Sequence, residues 1–421
     1  MFNKVREGRS GMMAKQHTAR LLAAALCLAV TVGCARREEV QPESLPEITL
    51  WYTADNFKDQ QVLAELVDGF NESQDQVVLT TQYVPSEDMK KRIAYSMADD
   101  TLPELAMIDS VDFMYLNSME PFLDLTDRIP QLKQYMPVSV IPCTMEGRIY
   151  GLPYEMNCPA LFYNKTVLEE NGLKAPETWE EFYETAQKTT LGQRKGFAIT
   201  ALTSEETIYQ FLPILWSMGG SLSDVSSPES AGAFQMLHSL AQTGAMNQQS
   251  VDLTMADLLD QFTEGNLAMM FQSSMVVDTI RSMNPDLDFD VTSFPSSAGS
   301  PSVSVVGGDI LAVAEGPYED SAVDFLRYIA DEDRMLSYLD GNGGLAPRKD
   351  VLERQFADDP VKRRFVDIFD HARTREFSTD WPRISAAVTE AVGQVIIGDR
   401  PTEEILEQAA GRIREIRGKE S

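Results

Sequence analysis

Apolar and polar positions along the chain follow two alternating periods. Ile48-Thr49-Leu50-Trp51-Tyr52 is β-branched and aromatic, which predicts a strand. After a loop at 53–57, Val62, Leu63, Leu66, Val67 and Phe70 recur at helical spacing and predict an amphipathic helix. Residues 77–84 alternate as a strand, 86–98 suit a helix, and 104–108 form another strand. Strands that alternate with helices imply right-handed crossovers and a mostly parallel sheet, an α/β protein.

The stretch 146–164, EGRIYGLPYEMNCPALFYN, breaks that rhythm. A turn at Glu146-Gly147 and a short apolar strand at Ile149-Tyr150 meet a Gly151-Leu152-Pro153 break. A second strand, 160–163, then leads into a helix capped near Asn164. Between the strands lie Tyr154, Glu155 and Asn157, an aromatic, a carboxylate and an amide in one bend. Such a segment suits a chain passing from one lobe to another beside a cleft. Further on, Thr178-Trp179-Glu180-Glu181 is a capping box. Helices are predicted at 208–218, ending at Gly219-Gly220, and at 253–263. Strands are predicted at 197–200, 268–271 and 287–294. An apolar run, 302–313, is interrupted by Gly307-Gly308-Asp309. The rest is helical, apart from a glycine-rich stop at 341–344 and the pair Pro347-Arg348.

The first residues have a different build. Lys15, His17 and Arg20 precede an apolar run, 21–32, shorter than the roughly 20 residues a spanning helix needs. This is the pattern of a secretory signal, 1–33, and Met12 or Met13 can serve as its start. Thr31-Val32-Gly33-Cys34 resembles a bacterial lipobox, with Thr31 where Leu is usual; the alternative is an ordinary signal with a chance cysteine. Of four cysteines, Cys27 leaves with the signal and Cys34 would carry lipid, which accounts for an otherwise odd thiol. Cys143 and Cys158 remain. They can close a loop of about 15 residues, stabilising by about 3 kcal/mol, or stay as two buried thiols. Residues 34–46 are charged and proline-bearing, a tether.

At 421 residues and 43% hydrophobic content the chain can build more than one core. Its formal charge of -29 becomes more negative still once the leader, with five basic residues and one acidic one, is removed. That acidity disfavours nucleic acid and anionic lipid; no later run approaches membrane-spanning length, so any membrane link is the lipid.

Several segments together resemble the bacterial extracellular solute-binding proteins of ABC transporters, in the carbohydrate-type group related to maltose-binding protein. The match rests first on EGRIYGLPYEMNCPALFYNKTVLEENGLKAPETWEEF (146–182). FTEGNLAMMF (262–271), VVGGDILAV (305–313), YEDSAVDFLRYIADED (318–333), GLAPRKD (344–350) and VIIGDRPTEEILEQA (395–409) follow in the same order. The resemblance implies a two-lobed periplasmic-binding-protein fold with discontinuous lobes, joined by hinge strands around a ligand cleft. The expected boundaries are 46–153 plus 302–346 for lobe one, and 154–301 plus 347–421 for lobe two. It also implies a monomer that is exported and held outside the cytoplasmic membrane by its lipid. There it would capture a sugar or oligosaccharide and hand it to the permease subunits, with no cofactor or metal.

A sugar presents hydroxyls to planar polar groups and C–H faces to aromatic rings. Tyr154, Glu155 and Asn157 are the leading candidates, because the break at Pro153 frees them. Trp51, Tyr52 and Trp216 are candidates that core packing explains equally well. Asp55 in the first loop can instead cap a helix. Asp109 ends the third strand, a favoured position in an open α/β sheet. Gly308 permits close backbone approach, and Asp309 can take hydroxyls. Trp381, before Pro382, can act as a stacking platform. Arg348 suits a structural ion pair and Trp179 suits packing.

Three other readings stay open: a receptor module reporting to a membrane sensor, the same fold binding a non-sugar solute, and an exported glycan-active enzyme. Beyond the leader only His238 and His371 remain, which excludes a histidine-rich metal site. Neither a G-x-S-x-G elbow nor an H-E-x-x-H pair occurs.

Overall fold

The computed structural model describes residues 45–53, 57–376 and 378–418. The signal, most of the tether, Cys34 and Asp55 lie outside the described residues. In chain order the strands are β1 (Glu47–Tyr52), β2 (Val78–Tyr83), β3 (Leu105–Asp109), β4 (Thr144–Met145), β5 (Arg148–Ile149), β6 (Leu152–Asn157) and β7 (Pro159–Asn164). They continue with β8 (Lys195–Ala198), β9 (Leu267–Ser273), β10 (Phe289–Thr292), β11 (Ser304–Val305), β12 (Gly307–Val313) and β13 (Ala372–Arg373). One sheet has the order β2-β1-β3-β12-β6 and a second β10-β7-β9-β8.

The opening strands pair in parallel, as βαβ crossovers require. The helix Phe57–Ser73 carries that crossover and buries Leu63, Leu66, Val67 and Phe70, the helical-period set. Phe70 then meets Phe325 edge-on at 5.3 Å. The sheets are mixed, however, rather than mostly parallel. β12 runs against both β3 and β6, and β7 runs against both β9 and β10. These strands adjoin the points where the chain changes sheets, so they enter against the direction of their neighbours.

The second sheet is built around aromatic rings. Phe197 lies 4.9 Å from Phe182, and Phe271 lies 4.2 Å from Phe294. Trp179 packs edge-on against Phe182 at 5.4 Å, a packing role. Its helix starts at the predicted capping box: Thr178 Oγ1 accepts from the Glu181 amide at 3.2 Å, and Glu181 Oε2 accepts from the Thr178 amide at 3.3 Å. Caps of this kind contribute about 1 kcal/mol.

The change of sheet falls later than the sequence suggested. Residues 152–157 pair with β12 in the first sheet, and β7 starts the second sheet after Cys158. Pro153 does not break the strand, because β6 is the edge of its sheet and one side needs no amide donor. The return passes through Val306, between β11, which pairs with β13, and β12. Residues 347–352 stay on the first side: Arg348 donates to Ala330 O at 3.0 Å and to Asp350 at 3.1 Å. That is the structural ion pair expected for Arg348. The helix Pro360–Asp370 sits on the second side, with Phe365 5.8 Å from Phe162.

Cys143 and Cys158 are free, buried and placed in different core clusters, so the disulfide considered above is not formed. Burial pushes the Cys143 thiol up to about 12 and raises Cys158 further, which leaves both unreactive. Among the described residues no helix is long and apolar enough to cross a membrane.

Candidate functional site: an acidic interlobe cleft

The site begins with strand register. Asp309 on β12 stands opposite Asp109 on β3 and opposite Glu155 on β6, so three carboxylates occupy one rung across neighbouring strands. Asp109 also caps the helix Ser110–Asn117, its carboxylate accepting from the Val111 amide at 2.9 Å. The β6–β12 register slips at Asp309/Ile310, where Glu155 faces Asp309 but Pro153 faces Ile310. Tyr154 is the extra residue of this bulge. Its ring stacks on Tyr338 at 4.7 Å, and Tyr338 Oη donates to Tyr154 O at 2.5 Å. Gly308, at φ +130°, completes the bend where β12 presses against β6.

This rung faces a cavity of about 760 Å³, within the usual range for ligand sites. The first-sheet side supplies Asp59, Lys90, Asp109, Asp112, Glu155, Asn157, Asp309 and Asn342. The second side supplies Leu202, Ser204, Glu205, Glu206, Thr254 and Met275. Asn157 sits where the two sides meet. Tyr209 Oη donates to its Oδ1 at 2.7 Å, and its Nδ2 reaches Met275 Sδ at 3.8 Å. Two acidic groups are visibly compensated: Asp112 holds Lys90 in an ion pair, and Glu205 lies 3.8 Å from Arg375.

Burial, reinforced by Asp309 and Asp59, holds the Glu155 carboxyl well above its usual range, despite a hydrogen bond from Asn342. Asp109 is open to the cleft at its surface, yet confinement by the protein raises its carboxyl too, against the pull of Arg375. A raised carboxyl means that the folded chain binds more protons than the unfolded chain above the ordinary value of 4.5. Stability therefore falls as pH rises from there toward the raised value, by up to about 1.4 kcal/mol per pH unit for one proton. Glu155→Gln should remove the Glu155 share of that slope. The variant is expected to be more stable than wild type at neutral pH, with the gap closing toward pH 4.5. Urea unfolding at stepped pH reads this directly, and parallel stability curves for the two proteins would contradict it.

Of the sequence candidates, Asp109, Tyr154, Glu155, Asn157, Gly308 and Asp309 line the cavity. The aromatic candidates lie elsewhere. Trp51 is 6% exposed, with the Arg92 guanidinium 4.2 Å above its ring. Tyr52 packs edge-on against Tyr83 at 5.8 Å. Trp216 packs half-buried against the second core, and Trp381 is fully inside that core. Tyr154 lines the cavity, but its ring is committed to Tyr338. Sequence reasoning missed Asp59, Lys90, Asp112, Glu205, Glu206 and Asn342. Asp59 and the Glu205-Glu206 pair occupy first turns of helices that follow strands, a position that does signal a cleft. Nothing local distinguishes Lys90 or Asp112 from solvated helix faces.

Comparison with known proteins agrees with this architecture. The model of the bacterial extracellular solute-binding protein family matches residues 65–363. The lactose-binding protein of Rhizobium radiobacter is 24% identical over 400 residues, 87% of this chain and 93% of that protein. The crystal structure of the cyclic alpha-maltosyl-1,6-maltose binding protein from Arthrobacter globiformis superposes with a TM-score of 0.78 at 23% identity, covering 89% of this chain and 99% of that one. An ABC transporter solute-binding protein from Thermotoga lettingae, bound with alpha-D-tagatose, gives 0.79 at 21% identity, covering 88% and 99%. With a two-lobed fold, a cavity between the lobes and a family match over most of its length, the chain belongs to the bacterial extracellular solute-binding proteins.

Proposed function

We propose that the protein captures a sugar or oligosaccharide in the interlobe cavity and delivers it to the permease subunits of an ABC importer, without chemical turnover. The observation that carries this is the 760 Å³ cavity, walled by strand ends of the first sheet on one side and by loops and helix starts of the second side on the other, with carboxylates and amides on its lining. The carbohydrate ligand is supported by the names of similar proteins, lactose-binding and maltosyl-maltose-binding among them. On this reading the moving bodies join at Cys158, at Val306 and within 353–359. Ligand favours the closed form because contacts from both bodies exist only there. A lipid on Cys34 would hold the monomer at the outer face of the membrane.

Thermal shift over a panel of mono- and oligosaccharides tests it. A saccharide at about 100 times its Kd should stabilise the fold by about 2.7 kcal/mol, and small-angle scattering should show contraction. If no saccharide moves the transition while a polyamine or metal ion does, the carbohydrate reading is wrong. Catalytic consumption of the sugar would overturn the binding-only part.

A further inference from the structure

We propose that the saccharide taken by this cleft carries a free ammonium group, seated against Glu155 and the carboxylate rung. The inference rests on the carbohydrate reading above and narrows it to a class. Seven carboxylate side chains line the cavity against one lysine, and that lysine, Lys90, is already committed to Asp112. Arg375 lies 3.8 Å from Glu205 on the opposite wall and also attracts Asp109 at the far end of the rung. Glu206 is turned to the Met255 amide at 3.0 Å.

Glu155 is left in a different position. It is 6% exposed, and its one hydrogen bond among the described residues comes from the neutral Asn342 amide. The charges that face it, Asp309 and Asp59, are both carboxylates, and no lysine or arginine pairs with it among the described residues. A buried carboxyl is costly unless a cation and hydrogen bonds compensate it. An ammonium offers three donors and the missing positive charge.

The lining also lacks what a neutral sugar ordinarily uses. Tyr154 is the one aromatic residue among the described lining, is 4% exposed, and lies flat on Tyr338. Among the described lining residues no open ring face is presented to the C–H side of a pyranose. The Ser204 hydroxyl, without a hydrogen-bond partner among the described residues, and the Asn157 Nδ2, held only by Met275 Sδ at 3.8 Å, suit sugar hydroxyls, which favours an amino-saccharide over a linear polyamine. With a neutral sugar Glu155 stays in the protonated form that burial favours, whereas an ammonium pairs with its carboxylate, so the same wall prefers the charged ligand.

Calorimetric titration of the mature, full-length chain with three β-1,4 disaccharides and spermidine tests the inference. The disaccharides are diglucosamine, its N,N′-diacetyl form and cellobiose. Diglucosamine is expected to bind at least about tenfold more tightly than the other two, about 1.4 kcal/mol. That preference should shrink as salt rises from about 20 mM to about 500 mM. Glu155→Gln should lose most of the preference for diglucosamine over cellobiose, whatever the affinity for cellobiose itself becomes. The wild-type ranking stands by itself if the variant fails to fold. Equal or tighter binding of either neutral disaccharide overturns the ammonium inference and leaves the carbohydrate reading intact. Binding of spermidine without any disaccharide overturns the amino-saccharide inference, and overturns the carbohydrate reading too if the wider saccharide panel is also silent. Binding of none of the four overturns the ammonium inference, and the wider saccharide panel then decides the carbohydrate reading separately.

Discussion

Gly308→Ala is expected to destabilise the protein by about 4 kcal/mol and to weaken capture of ligand with it. Gly308 sits at φ +130°, a backbone region that side-chain-bearing residues enter only at a cost of about 1–3 kcal/mol. A Cβ there would lie 2.2 Å from Glu155 O and 2.7 Å from Met156 Cα. Those atoms are backbone of β6, so no rotamer change relieves the overlap, and overpacking adds another 1–3 kcal/mol or so. The strands must instead separate, and the separation falls on the rung that joins Glu155 to Asp309 and Asp109. Gly232 and Gly411 supply the contrast. Both are inside helices, and a Cβ at either would meet nothing within 4 Å. Alanine there should stabilise by about 0.5–1 kcal/mol. Denaturant unfolding of the three variants separates these cases. A Gly308→Ala protein with the wild-type midpoint would mean that β6 and β12 do not approach as described.

The elements of this fold were legible where periodicity and burial coincide. Leu63, Leu66, Val67 and Phe70 mark the first helix because a single face of it is covered. The Thr178–Glu181 capping box is readable because it is local. Pro153 misled for a tertiary reason: whether a proline ends a strand depends on whether its amide side has a neighbour, and β6 turns out to be an edge. The same error placed the change of sheet several residues early, yet Glu155 and Asn157 still reach the cleft.

The remaining differences concern which side chains share a wall. Asp109, Asp309 and Glu155 are separated by long stretches of sequence and meet only because β12 lies between β3 and β6. No local pattern encodes that order. Tryptophan gave a weak signal for the opposite reason. An indole fits a sugar face and a core equally well, and Trp51 and Trp381 both went to cores. The charge of the cleft was hidden in a general excess of acid, since 65 Asp and Glu offer many indistinguishable solvated positions.

Trp381→Ala is therefore expected to cost about 3–5 kcal/mol of stability while leaving ligand affinity within about twofold of wild type. Trp381 opens the helix Trp381–Ile397, is 3% exposed, and packs into the core of the second lobe. Truncation removes the largest kind of side chain from a filled site, and the surrounding helices can close over only part of the void. Its indole Nε1 has no hydrogen-bond partner among the described residues, so Trp381→Phe removes volume without stranding an acceptor there and should cost less than the alanine variant. A stacking platform at the cleft would behave in the reverse way. Its loss would weaken binding by about 1–3 kcal/mol per lost stack and scarcely move the unfolding midpoint. Paired denaturation and titration of the two Trp381 variants distinguish the roles, since a core residue moves the midpoint and a ligand contact moves the Kd.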